Sequence, residues 1–83
     1  MHKQRLKYYG ITQEDYDRML EAQGFACAGC GSTETGWKGS WDIDHCHTTG
    51  TVRGLLCHDC NMCLARAKDK PSTLRALANY LER

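Results

Sequence analysis

The chain has 83 residues, enough for one small domain with a modest hydrophobic core. Its formal net charge is +1 at pH 7, which excludes a strongly basic protein that coats nucleic acid through overall charge. No stretch is long and apolar enough to cross a membrane, and the N-terminus lacks the apolar segment of a secretory signal. We therefore expect a protein of a reducing, cytoplasmic compartment without membrane contact.

The first predicted element is a helix over residues 12–24. Thr12 is a suitable N-cap, and Gly24 is a suitable stop. Apolar residues recur at helical spacing between them, and we expect this stripe to be structural. Its members are Tyr16, Met19 and Leu20.

Two Cys-x-x-Cys pairs dominate the middle of the chain. The first lies in a glycine-rich loop, residues 25–40, and the second follows a short apolar run. In a reducing compartment two such pairs predict one tetrahedral structural Zn²⁺ site, with sulfur atoms at about 2.3 Å from the metal. The alternative is a disulfide framework, which requires an extracellular location. The predicted zinc ligands are Cys27, Cys30, Cys57 and Cys60.

The other cysteines and the tryptophans are assigned to packing. Cys46 and Cys63 are expected to be small buried residues, with Cys63 as an alternative zinc ligand to Cys60. Trp37 and Trp41 are expected to cover the zinc loop and the hairpin, with base stacking as the other interpretation.

Two strands and two helices are predicted in the second half of the chain. Residues 41–45 and 51–56 read as strands of a hairpin. Helices follow at residues 58–67 and, after a proline, at residues 72–81. The last helix carries an apolar stripe that we expect to be core, although such a stripe also suits pairing of two chains. It comprises Leu74, Leu77, Ala78 and Leu81.

The hairpin region contains groups suited to phosphodiester hydrolysis. Asp44 offers a carboxylate and Asn61 an amide carbonyl, which are ligand types that Mg²⁺ or Mn²⁺ prefers. His45 can accept a proton from water near neutral pH. Alternatively, such groups cap backbone atoms in a turn, or His45, Cys46 and His47 join a second zinc site. In a regular strand Asp44 and His45 face opposite sides, so a bulge or strand end is needed for both to reach one phosphate.

These motifs together resemble the phage recombination endonuclease VII family, a branch of the HNH nucleases with the ββα-metal, or His-Me finger, fold. The resemblance covers about the central half of the chain, in the family's order. The matching segments are Cys27-Ala-Gly-Cys30, Asp44-His45-Cys46-His47, Thr49-Gly50, Val52-Arg53-Gly54-Leu55-Leu56-Cys57 and Cys60-Asn61.

The resemblance implies a small zinc-stapled α+β fold with flanking N- and C-terminal helices. A single nuclease domain would span residues 1–83. Within it we expect an N-terminal arm and helix at 1–24, the zinc site and ββα-metal core at 25–67, and a C-terminal helix at 68–83.

The resemblance also implies a reaction and residue roles. Asp44 and Asn61 would hold one catalytic Mg²⁺ or Mn²⁺, and His45 would be the general base of a DNA endonuclease. His47 either donates a hydrogen bond to the scissile phosphate or orients the hairpin turn. The rival interpretation is a noncatalytic zinc module that binds DNA or protein, for which the cysteines suffice.

DNA is the implied partner, including branched DNA such as four-way junctions. Junction-resolving members of the family act as dimers, but the chain ends soon after the nuclease core, so a monomer or weak homodimer is expected. A phage origin and action in the bacterial host cytoplasm are likewise implied. We expect DNA contacts from Arg53, Arg66 and Lys68; further basic candidates are Lys3, Arg5, Lys7 and Lys70.

Overall fold

A computed structural model describes residues 9–36 and 39–83. Within these ranges the chain forms an α+β fold of three helices and a two-stranded sheet, as predicted, and each element begins and ends within two residues of its predicted bounds. The predictions for Lys3, Arg5, Lys7 and Trp37 lie outside the described residues. In chain order the elements are α1 (Gln13–Ala22), β1 (Asp42–His45), β2 (Val52–Leu56), α2 (His58–Arg66) and α3 (Pro71–Glu82).

Local hydrogen bonds fix the ends of α1. Thr12 Oγ1 accepts a hydrogen bond from the backbone N–H of Asp15 at 3.0 Å, and the Asp15 carboxylate accepts one from the Thr12 N–H at 3.1 Å. This reciprocal pair is a capping box, and the hydrogen bond from the Thr12 backbone lowers the pKa of Asp15. Gly24, with φ of +70°, follows the last turn. The predicted stripe faces inward, with Tyr16 buried and Met19 and Leu20 partly buried.

The antiparallel register of β1 and β2 breaks beside the predicted catalytic cluster. Asp44 pairs with Gly54, but His45 pairs with Val52, so Arg53 is an extra residue on β2. This irregularity is a β-bulge, which bends the strand and redirects side chains. The sequence required a bulge or a strand end at Asp44 and His45; the structure has a bulge opposite them, on β2, and β1 ends at His45.

The core lies where α1 and α2 pack on the hairpin. Leu55 at its centre is fully buried. The Gln23 side chain pairs with the backbone of Leu55: Nε2 donates to its carbonyl, and Oε1 accepts from its N–H, both at 2.9 Å. The side chain thus supplies the hydrogen bonds that a third strand would make at this edge. The other large buried side chains are Tyr16, Trp41, Ile43 and Leu56.

Helix α3 lies outside this core. Among the described elements it packs against no other helix or strand. Leu77 and Leu81 are 52% and 80% exposed, so the expectation that its stripe belongs to the core is wrong for the part of the chain that the structure describes. None of the described helices is long and apolar enough to span a bilayer.

Candidate active site and zinc centre

The two Cys-x-x-Cys pairs come together as predicted. Their four sulfur atoms lie within 4.8 Å of one another, and Cys30 Sγ lies 3.9 Å from Cys57 Sγ. Thiolates bound at about 2.3 Å around a tetrahedral Zn²⁺ are about 3.8 Å apart, so the cluster fits a structural zinc. Its members are Cys27, Cys30, Cys57 and Cys60.

Backbone donors converge on the first sulfur of this cluster. Cys27 Sγ accepts hydrogen bonds from the N–H groups of Gly29, Cys30 and Cys57 at 3.3, 3.4 and 3.3 Å. Burial raises the pKa of the Cys27 thiol, but the hydrogen bonds outweigh burial and bring the pKa down to about 6. Burial, followed by the neighbouring cysteine side chains, raises the pKa of Cys60. The metal-free cluster therefore favours a thiolate at Cys27 over one at Cys60, and a bound zinc would supply the charge that stabilises the Cys60 thiolate.

The two cysteines outside the cluster differ from expectation. Cys63 is exposed on α2, so it is neither buried nor a member of the zinc cluster. Cys46 is half-buried in the hairpin turn. A hydrogen bond from the Thr49 hydroxyl, followed by those from the Thr49 and Thr48 backbone, lowers the pKa of Cys46 to about 7.

The zinc loop also approaches the start of α2. The His58 N–H donates a hydrogen bond to the Thr35 carbonyl at 2.8 Å. A Cβ on Gly36 would lie 2.8 Å from the His58 Cβ, and Gly36 has φ of +109°. The close approach to His58 and the positive φ both require glycine at position 36. A side chain there would push the loop away from the helix, and residues other than glycine rarely adopt this φ.

A cavity of about 110 Å³ opens beside the bulge, between the hairpin and α2. Asp44, His45, His47 and Asn61 all line it. Residues that the sequence places 17 positions apart are thus brought to one space by the bulge and by the packing of α2 on the hairpin. The other residues that line it are Tyr9, Ile43, Leu64, Ala65 and Asp69.

The two histidine rings of the cavity have different surroundings. The His45 ring is half-buried and lies 5.1 Å from the Tyr9 ring and 5.1 Å from the His47 ring, between centroids. The His47 side chain is 63% exposed, and its Nδ1 lies 3.4 Å from Asp69 Oδ2. His45 is therefore restrained by ring packing, whereas His47 faces solvent with a carboxylate at one nitrogen.

Asp44 is held by Arg53, the bulged residue. Arg53 Nε and Nη2 donate to the two carboxylate oxygens of Asp44, each at 2.8 Å, and Nη2 also lies 3.3 Å from Asp69 Oδ1. The hydrogen bonds with Asp44, and then those with Asp69, raise the pKa of Arg53. The guanidinium expected to contact DNA thus contacts two acids of the cavity. A carboxylate has about four lone-pair sites, so this pair leaves Asp44 able to contact a cation as well.

The amide of Asn61 is hydrogen-bonded to another acid, Asp42. Asn61 Nδ2 donates to Asp42 Oδ2 at 3.1 Å, and His58 Nδ1 lies 2.9 Å from the same oxygen. Because Nδ2 faces Asp42, the carbonyl oxygen Oδ1 of Asn61 is turned away from it. The oxygen atoms of Asp44 and Asn61 Oδ1 are ligand types that fit a hard divalent cation. Among the described residues, three or more Cys, His, Asp or Glu side chains come close enough to hold a metal only at the four cysteines.

Sequence reasoning missed Asp42 and Asp69. Asp69 reaches the cavity through a turn in which Lys68 and Asp69 have φ of +56° and +58°, a conformation that non-glycine residues rarely adopt. The sequence has no glycine at these two positions to indicate a left-handed turn. Asp42 had a detectable signal, because it lies two residues before Asp44 on one strand, and alternate residues share a face.

The other two predicted DNA contacts are exposed cations at the end of α2. Arg66 ends α2 and Lys68 follows it, and both are exposed. Their sequence neighbours Ala65 and Asp69 line the cavity. Each cation is therefore open to solvent and one residue away in sequence from a position that lines the cavity.

Comparison with known proteins decides the family. The model of the family described as recombination endonuclease VII matches residues 2–83. The chain belongs to the recombination endonuclease VII family. It is 40% identical over 79 residues to the Gene 59 protein of Mycobacterium phage D29, covering 94% of the chain and 47% of that protein. It is 40% identical over 77 residues to the Gene 59 protein of Mycobacterium phage L5, covering 92% of the chain and 46% of that protein.

This membership of the recombination endonuclease VII family confirms the resemblance drawn from the motifs. The chain spans about half the length of the curated relatives it matches. No solved structure matches it.

Proposed function

We propose that the chain is a metal-dependent DNA endonuclease of the HNH type. The observation that carries the proposal is the single cavity at the β-bulge that gathers Asp44, His45, His47 and Asn61. Family membership supports the class of activity, recombination endonuclease. Structural zinc at the four cysteines would hold the loop against the start of α2, the helix that carries Asn61.

In the proposed reaction His45 is the general base. It takes a proton from a water molecule, which attacks the phosphorus in line with the departing 3′-oxygen and leaves 5′-phosphate and 3′-hydroxyl ends. The packing of the His45 ring against Tyr9 would limit its rotation. A Mg²⁺ or Mn²⁺ ion held by the Asp44 carboxylate and Asn61 Oδ1 would supply charge neutralisation at the phosphate and the leaving oxygen.

Arg53 and His47 would contact the phosphate directly. Asp69 already contacts Arg53, so the guanidinium keeps a carboxylate partner when it turns from Asp44 toward a phosphate. Asp69 also lies at Nδ1 of His47, which leaves Nε2 as the nitrogen able to donate to the scissile phosphate.

The proposed substrate is branched DNA, including four-way junctions, bound by a monomer or weak homodimer. Family membership supports recombination intermediates as the substrate class. Arg66 and Lys68 would contact the DNA backbone beside the cavity, since both are exposed there. The setting would be the bacterial host cytoplasm, as for a phage-encoded nuclease.

A second candidate is a noncatalytic zinc module that binds DNA or protein. The bidentate pair of Arg53 and Asp44 favours it, because this pair gives Asp44 a structural role that needs no metal. The two candidates differ in whether a hard divalent ion binds at the cavity of the zinc-loaded protein.

Metal-dependent cleavage by zinc-loaded protein tests the proposal. Supercoiled plasmid and a four-way junction are incubated with the wild type, with and without Mg²⁺ or Mn²⁺. The comparison variant is Asn61→Ala, and Asn79→Ala on the exposed face of α3 is the matched control. We expect ion-dependent cleavage that falls at least about tenfold in Asn61→Ala and not in Asn79→Ala. Absence of both Mn²⁺ binding and cleavage in the wild type would favour the noncatalytic module.

A further inference from the structure

Asp42 is an unusual residue for its position. It begins β1, pairs with Leu56 across the hairpin, and is only 8% exposed. Burial of a carboxylate costs free energy unless hydrogen bonds compensate. A buried acid at the start of a strand therefore indicates a requirement for its particular hydrogen-bond partners.

Two side chains from the N-terminal part of α2 converge on one oxygen of Asp42. His58 Nδ1 lies 2.9 Å from Oδ2, and Asn61 Nδ2 donates to the same Oδ2 at 3.1 Å. An ionised carboxylate only accepts hydrogen bonds, so opposite an ionised Asp42 both nitrogens are donors. The contact thus selects the Nδ1–H tautomer of His58 and one of the two orientations of the Asn61 amide.

The orientation of this amide matters because Asn61 lines the cavity beside Asp44. An asparagine amide presents an oxygen, which is a ligand for a hard cation, and an NH₂ group, which is not. With Nδ2 held by Asp42, the oxygen is directed away from the Asp42 carboxylate. A flipped amide would leave Asp42 facing an oxygen and offer NH₂ groups to a cation.

We infer that Asp42 is a positioning residue that holds the Asn61 amide with its carbonyl oxygen available to the divalent ion. This inference rests on the proposed function and names a residue that acts on the site through Asn61. Hydrogen-bond partners of metal ligands commonly change metal affinity by about 10- to 100-fold when removed.

A purely structural Asp42 makes a different prediction. It would tie β1 to α2 through the same two hydrogen bonds, and its loss would lower the melting temperature while leaving the ion affinity of the folded protein unchanged. A positioning Asp42 changes the affinity itself. Ion binding to folded, zinc-loaded protein therefore separates the two roles.

Three variants separate loss of the hydrogen-bond acceptor at Asp42 from loss of its negative charge. Asp42→Ala removes the acceptor and the charge. Asp42→Asn removes the charge but can place its amide oxygen where Oδ2 lies, and that single oxygen serves both partners. Asp59→Ala is the charge control, since Asp59 is an exposed acid in the first turn of the same helix.

The measurement is Mn²⁺ binding to zinc-loaded protein, followed by the electron paramagnetic resonance signal of the free ion. We expect the Mn²⁺ dissociation constant to rise at least about tenfold in Asp42→Ala and to stay within about threefold of wild type in Asp42→Asn and Asp59→Ala. Wild-type affinity in folded Asp42→Ala would overturn the inference. Equal losses in Asp42→Ala and Asp42→Asn would also overturn it, because charge alone would then explain the effect.

A measurement on the wild type covers the case in which Asp42→Ala does not fold. In zinc-loaded protein the Asn61 side-chain NH₂ protons should be protected from hydrogen exchange and stay protected when Mg²⁺ is added. Loss of that protection with Mg²⁺ would show that the ion site does not use the orientation set by Asp42. A wild type that neither binds Mn²⁺ nor cleaves DNA contradicts the proposed function itself, whereas a cleaving wild type with unchanged Asp42→Ala contradicts only the inference.

Discussion

Arg53 connects the β-bulge to the acids of the cavity. It holds Asp44 through two hydrogen bonds of 2.8 Å. The register shift beside His45 makes Arg53 the extra residue of β2, so the irregularity lies between the two residues that flank Asp44 in the site. In the proposed function a divalent cation would share this carboxylate with Arg53, and the two positive charges would compete for it.

Replacement of Arg53 tests this competition. Arg53→Ala should lower the free energy of unfolding by about 1 kcal/mol, a modest value because the pair is partly solvent-screened. Added Mg²⁺ should raise the melting temperature of Arg53→Ala more than that of the wild type, since Asp44 no longer has its cationic partner. Arg75→Ala, at an exposed position of α3, is the control. An equal response to Mg²⁺ in all three proteins would contradict a cation site at Asp44.

Zinc uptake has a pH dependence that follows from Cys27. Hydrogen bonds, working against burial, bring the pKa of Cys27 to about 6, so this thiol is mostly ionised at pH 7. Uptake of zinc by metal-free protein at pH 7 should then release fewer than four protons, and the number should rise as the pH falls through about 6. Calorimetry in buffers of different ionisation enthalpy counts these protons. Release of four protons at pH 7 would show that the metal-free cluster lacks the hydrogen bonds to Cys27.

Residue chemistry explains which site residues could be predicted. The grouping of Asp44, His45 and Asn61 was predictable because their residue types suit a hydrolytic metal site and their spacing matches the recombination endonuclease VII family. Asp69 was missed because it enters the cavity through a left-handed turn with no glycine to mark it. The partners of Arg53 and Asn61 were missed because they depend on how the side chains pack between β1, β2 and α2.

Among the elements, a zinc ion at the four cysteines would couple the loop at Cys27 and Cys30 to the start of α2. The helix offers a matched test, because Cys60 lies in the cluster whereas Cys63, one turn later, is exposed. Cys60→Ser should lose zinc and lower the melting temperature, and Cys63→Ser should keep both near wild type. Zinc content and thermal denaturation are the measurements. Zinc loss in Cys63→Ser would mean that Cys63 replaces Cys60 as a ligand.

Truncation of a leucine should affect the free energy of unfolding much less in helix α3 than in strand β2. Leu77→Ser should change the free energy of unfolding by less than about 0.5 kcal/mol, because Leu77 is 52% exposed. Leu55→Ala should cost about 2–5 kcal/mol, because Leu55 is fully buried. Urea denaturation of both variants at several protein concentrations tests this. A large, concentration-dependent cost for Leu77→Ser would show that α3 is buried between two copies.

Elements were predictable where local signals mark them. Thr12 and Gly24 mark the two ends of α1. Alternation of apolar and polar residues, with turn residues between the two strands, marks the hairpin at residues 41–56. The burial of α3 was not predictable, because helical spacing of leucines shows only that an apolar face exists. Whether another element covers that face is decided by packing, and within the described residues no element does.

In the molecule as a whole, a core centred on Leu55 holds the hairpin and α2 against each other, and the four-cysteine cluster joins the preceding loop to the start of α2. The cavity with the catalytic candidates lies between them. Small domains commonly rely on a bound metal to supplement a modest core. In this arrangement a structural zinc would support the site, and the proposed chemistry would fall to His45 and the residues around Asp44.

The most direct test of this account is single-turnover nicking of supercoiled plasmid by wild type and His45→Ala, both zinc-loaded, in Mg²⁺ or Mn²⁺. Zinc content and the melting temperature establish that the variant is folded. We expect a rate loss of about 10²- to 10⁴-fold, the usual contribution of a general base, with partial recovery on addition of imidazole. A folded His45→Ala variant that nicks at the wild-type rate would contradict the account.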